Sequence, residues 1–82
     1  MDKYYLLIFN NTHGAMKAES FLKAQEIKLM IMPTPTHITQ SCGISIRIAE
    51  EEIEIVKRFI IEGNIEVKFL YARDKAGYTR II

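Results

Sequence analysis

Six consecutive apolar residues, Tyr4 to Phe9, leave neither alternating set of a strand polar: Tyr4, Leu6 and Ile8 fall on one face, Tyr5, Leu7 and Phe9 on the other. Such a strand belongs at the centre of a sheet covered on both sides, or turns its second face to a partner. The chain of 82 residues is read as a single domain, 1–82. A domain that small buries only about 60% of the surface its unfolded chain exposes, so its core is thin.

The rest of the chain supplies the neighbours that strand needs. Asn10, Asn11 and Thr12 break the run, and Asn11 or Thr12 can cap a helix. Ala15, Ala18, Phe21, Leu22 and Gln25 recur at helical spacing, which predicts a helix from about His13 to Glu26. Ile27 to Met32 is a second apolar run, stopped by Pro33 and Pro35. Ile44, Ile46 and Ile48 alternate with Ser45 and Arg47, the clearest period-two pattern in the chain.

From Glu50 to Glu62 the spacing turns helical again, with Glu50, Glu51 and Glu52 at the positive end of the dipole and Gly63-Asn64 as the stop. Ile65, Val67, Phe69 and Tyr71 predict a fourth strand, and Asp74 to Gly77 a turn. Residues 72–82 then form a tail or a short fifth strand.

The order strand, helix, strand, strand, helix, strand is the ferredoxin-like βαββαβ arrangement of the α+β class: an antiparallel four-stranded sheet with two helices on one face. It places the fourth strand beside the first, then the third, then the second. With Ile44, Ile46 and Ile48 turned to the helices, the opposite face is expected to hold Tyr5, Leu7, Phe9, Met30, Met32 and Leu70. So much apolar area calls for cover, either a second copy, giving a homodimer through the sheet, or the segment Tyr78 to Ile82.

Eleven basic and ten acidic residues are interspersed and sum to +1, which gives no field for gathering nucleic acid or anionic lipid. No nucleic-acid or membrane partner is therefore expected. Hydrophobic residues at 49% and charged ones at 26% are those of an ordinary globular domain. Met1-Asp2-Lys3 leads directly into the first strand without the cleavage site of a signal peptide, so a cytoplasmic location is expected.

Chemistry concentrates in the stretch Pro33 to Gly43, which holds both prolines, His37 and Cys42, the single cysteine. One cysteine forms no internal disulfide, so Cys42 is either a buried small hydrophobe or a working thiol. In the expected topology Cys42 and Gly43 share one end of the sheet with Asn11, Thr12, His13 and Gly14. A helix start there, with its free N–H groups and partial positive charge, would favour the thiolate. Ser41 and His37 complete the expected thiol environment, and Gly43 permits close backbone approach or an unusual backbone angle. Paired metal ligands, a phosphate loop and a dinucleotide fingerprint are all missing from the sequence, so no metal or cofactor is expected.

Phe9 with the following Asn-Thr-His, then Ala15, Ala18-Glu19 and Leu22-Lys23, then Met32-Pro33-Thr34-Pro35 and Ile38-Thr39-Gln40-Ser41-Cys42-Gly43-Ile44, resemble a small bacterial family described as selenium/sulfur carrier protein-like. The likeness covers about residues 3 to 71. It departs where Thr36 and His37 follow the second proline, a place where a basic residue is common in that family. The resemblance implies that Cys42 holds sulfur or selenium and passes it from a donor protein to an acceptor protein, as a covalent carrier rather than a turnover enzyme. The lack of a second, resolving cysteine fits such a relay. The alternative is a small self-associating binding or regulatory module with a structural cysteine.

Overall fold

The computed structural model describes residues 3–38 and 43–82. In chain order these form β1 (Tyr4–Ile8), α1 (Thr12–Ala24), β2 (Leu29–Pro33), β3 (Ile44–Ala49), a 3-10 turn over Glu50–Glu52, α2 (Ile53–Ile61), β4 (Phe69–Asp74) and β5 (Gly77–Arg80). The five strands make one sheet in the order β2-β3-β1-β4-β5, and every neighbouring pair is antiparallel. The α+β class and the central place of β1 beside β3 are as the sequence predicts, and the chain end adds β5 as an edge strand.

Local chemistry sets the ends of these elements. Asn11 caps α1, its Oδ1 accepting from the N–H of Gly14 at 2.8 Å. At the far end Ile27 N–H donates to Leu22 O at 3.0 Å, with Glu26 in the left-handed region at φ 61°. That left-handed turn reverses the chain where a glycine would do so without strain, and it starts β2 two residues later than the apolar run suggests. Gly63, at φ 83°, serves the same purpose after α2, where Asn64 N–H donates to Phe59 O at 2.9 Å. The first residues of the second predicted helix, Glu50–Glu52, take the tighter 3-10 form, and Glu52 Oε2 accepts from the N–H of Lys28 at 3.0 Å.

Strand register decides which residues share a face. Tyr5 stands opposite Ile48 and Ala72, and Leu7 opposite Ile46 and Leu70. Directly opposed residues point the same way, so Tyr5, Leu7, Phe9 and Leu70 lie on the helix side with the β3 isoleucines. This corrects the expectation that they face away. There they pack with Ala15, Ala18 and Leu22 of α1 and Ile53 and Val56 of α2 into one core. β4 also begins at Phe69 rather than Ile65; Ile65 and Val67 belong to the approach to the strand, where Ile65 is buried in the core and Val67 packs against it.

The opposite face carries Tyr4, Leu6 and Ile8, with Met30 and Met32 as expected, Ser45, Arg47, Phe69, Tyr71, Arg73, Tyr78 and Arg80. Leu6 and Ile8 are nonetheless fully buried. Part of their cover is the connection after β2. Thr34, itself buried, shares a hydrogen bond between hydroxyls with Ser45 at 2.5 Å, and its N–H donates to Gly43 O at 3.1 Å. Three residues on, the ring of His37 lies 5.7 Å from that of Tyr78 on the far edge strand. Residues 34–38 therefore cross this face from the β2 edge toward β5. Tyr78 contributes a side chain to that cover, whereas Ile81 and Ile82 are exposed.

The hydroxyl pair anchors the crossing segment. Ser45→Ala leaves the buried Thr34 hydroxyl without its partner and is expected to cost about 1–3 kcal/mol. Adding Thr34→Val removes the orphaned group, so the double variant should recover most of that loss. Urea denaturation of the singles and the double checks this.

Candidate functional site

Two regions bear on function, and they lie on opposite faces. The first is the turn from β1 into α1. Asn11, Thr12 and His13 are exposed there and Gly14 is half-buried. The Asn11 side chain takes the Gly14 N–H, and Ala15 N–H donates to Asn11 O at 3.3 Å. One of the four orphan donors of the helix start, the Gly14 N–H, is thus already satisfied within the chain, which lessens what it can offer an incoming thiolate. A groove of about 630 Å³ opens beside this turn, lined by Gly14, Lys17, Phe21, Gly63, Asn64 and Val67 among others.

Ser41 and Cys42 lie outside the described residues. Their neighbour Gly43 is exposed, and a Cβ built on it meets nothing within 4 Å. Close approach or an unusual angle beside the sulfur involves Cys42, which lies outside the described residues, and remains what is expected of Gly43. Its structural service is the carbonyl that accepts from Thr34 and closes the β2–β3 connection. His37 sits on the sheet face against Tyr78, on the opposite side of the sheet from the helices and apart from the turn at Asn11 to Gly14. Among the described residues, no three histidine, cysteine, aspartate or glutamate side chains gather to hold a metal.

The second region is one that sequence reasoning missed. Tyr4, Arg73 and Tyr78 stand opposite one another on β1, β4 and β5, and Arg47, Leu6, Tyr71 and Arg80 form the next row across the sheet. The Arg47 guanidinium lies 4.2 Å from the Tyr4 ring centre, that of Arg73 4.7 Å from Tyr78, and that of Arg80 4.9 Å from Phe69. Each such contact contributes about 0.5–1 kcal/mol at a partly exposed site. Phe69 and Tyr71, and Tyr71 and Tyr78, meet edge to face. The signal was present as the polar alternation Ser45-Arg47 on β3, with Tyr4 on β1 and Tyr71 and Arg73 on β4. It was hidden because the face assignment of β1 was reversed.

The hydroxyls of Tyr4 and Tyr78 are 3.5 Å apart. The bond to Tyr78, then burial, push the Tyr4 phenol above its ordinary value, against the opposing pull of Arg73 and Arg47.

Residues 4–72 match the family described as "Putative Se/S carrier protein-like". The chain belongs to this family. It is also 36% identical over 61 residues to Uncharacterized protein MJ0011 of Methanocaldococcus jannaschii, an alignment that covers 74% of this chain and 28% of that protein. The chain thus spans little more than a quarter of the length of that relative. No solved structure matches it. No helix among the described residues is long and apolar enough to cross a membrane.

The raised Tyr4 value carries a sign. The folded state holds the phenol proton more tightly than the unfolded chain, so this stabilisation is complete below the ordinary value of 10.0 and is lost as pH rises through the folded value. Tyr4→Phe is expected to make the alkaline fall in stability shallower, read as the urea midpoint against pH.

Proposed function

We propose that the chain carries sulfur or selenium on Cys42 and relays it between proteins. The observation that carries this reading is family membership over residues 4–72, a span that contains the one thiol in the sequence. The chemistry needs little else. The Cys42 thiolate attacks the outer sulfur of a donor persulfide, forms an S–S bond and displaces the donor thiolate. An acceptor thiolate then attacks the same outer atom, and Cys42 leaves as thiolate. Each step exchanges one S–S bond for another, so no net oxidant or reductant is consumed. Selenium follows the same course through an S–Se bond.

A relay of this kind has no use for a resolving cysteine, and it works in a reducing compartment such as the cytoplasm. Its partners are a donor protein and an acceptor protein. The scaffold is read as the ferredoxin-like arrangement extended by β5, a reading supported by the strand order and by the packing of both helices into one core on one face.

Incubation with a cysteine desulfurase and cysteine, followed by mass spectrometry without reductant, is expected to show the mass of one added sulfur on the peptide containing Cys42. Cys42→Ser should show none, and dithiothreitol should remove the addition from the native chain. A native chain that stays unmodified under turnover of both a desulfurase and a selenocysteine lyase contradicts the relay.

A further inference from the structure

The cluster on the sheet face away from the helices has the composition of an anion site. Its described residues include three arginines, Arg47, Arg73 and Arg80, and no acidic residue, either on the strands or in the crossing segment 34–38, whose His37 lies against Tyr78. This concentration stands out in a chain whose net charge is +1. No carboxylate of a described residue pairs with any of the three; the ion pair between described side chains is Lys23 with Glu19, on α1. Asp74, nearest in sequence, is turned to its own hairpin, its Oδ1 accepting from Ala76 N–H at 2.8 Å.

Two features make this more than surface charge. Arg47 and Arg73 are each half-buried with the guanidinium carbon over a tyrosine ring, Arg47 over Tyr4 and Arg73 over Tyr78. A cation–π contact holds a guanidinium by its charge and leaves N–H groups for hydrogen-bond acceptors. The arginines are therefore oriented without their donors being consumed. The hydroxyls of Tyr4 and Tyr78 hydrogen-bond each other at 3.5 Å, a long bond that uses one of the two hydroxyl hydrogens and leaves the other to turn toward a third oxygen.

We propose that Tyr4, Arg47, Arg73 and Tyr78 form a binding site for a small doubly charged oxyanion of the phosphate type, free or as a monoester. Two guanidiniums match two negative charges, and planar N–H pairs match the oxygen spacing of phosphate. The hydroxyl hydrogen not used between Tyr4 and Tyr78 adds a further donor. The half-exposed rings of Tyr71 and Tyr78 border the site and give a monoester's organic group a surface to lie against.

This inference does not rest on the carrier reading, and its test is run in Cys42→Ser so that the two fail separately. Inorganic phosphate and, in parallel, adenosine monophosphate are titrated at constant pH and ionic strength against sodium chloride, with arginine Nε–Hε and tyrosine ring signals followed by NMR. Saturable shifts at Arg47, Arg73, Tyr4 and Tyr78 are expected with phosphate and not with chloride. Arg47→Gln and Arg73→Gln should each weaken binding by about tenfold or more, because each removes charge-assisted hydrogen bonds to the anion. Arg58→Gln, on the exposed side of α2, should leave it unchanged.

Equal affinity for the two ligands assigns the site to the free oxyanion. Tighter binding of the monophosphate, lost in Tyr71→Leu, assigns it to a monoester. Shifts that are linear and equal for phosphate and chloride overturn the proposal, as does an Arg58→Gln effect as large as that of Arg73→Gln.

Discussion

A central strand that is apolar on both sides has to be covered twice, and the rest of this molecule follows from that requirement. The two helices cover Tyr5, Leu7 and Phe9. Leu6 and Ile8 point the other way and are buried just as fully. Burying one such side chain is worth about 1.5–3 kcal/mol, so the second cover supplies on the order of 3–6 kcal/mol, an upper figure because the unfolded chain is already partly collapsed. Domains are stable by only about 5–15 kcal/mol in all. Covering the second face is thus comparable to the net stability of the fold.

The cover is assembled from pieces distant in sequence. Residues 34–38 are tied down at one edge by the Thr34–Ser45 hydroxyl pair and by Gly43 O, and reach Tyr78 through His37 at the other. The same connection contains Cys42 further along its sequence. Its first half therefore contributes to the fold while its second half holds the one thiol.

Much of this was legible in the residues. The alternation of Ile44, Ile46 and Ile48, the helical spacing of Ala15, Ala18 and Leu22, and the stop at Gly63-Asn64 each follow from local chemistry and fix the element order. Facing was not legible, because Tyr4 to Phe9 is apolar in both alternating sets and only cross-strand register chooses between them. Reversing that choice hid the arginine and tyrosine cluster, whose members come from β1, β3, β4 and β5. At the thiol, the residues identified the cysteine and the family, and the Asn11 cap was legible from its place before the helical spacing. Short-range pattern reads helices, turns and caps well; it does not read which distant strands a loop will meet, as His37 meets Tyr78.

The claim that most needs testing is that Cys42 works as a thiol in the folded protein. Alkylation with iodoacetamide near neutral pH, compared between the native chain and the chain in urea, measures this directly. A carrier predicts that the native thiol reacts at least as fast as the unfolded one, and that the rate follows a single ionisation below the ordinary thiol value of about 8.5. Full protection of Cys42 in the folded chain, with ordinary reactivity once unfolded, would make it a structural cysteine and contradict the account.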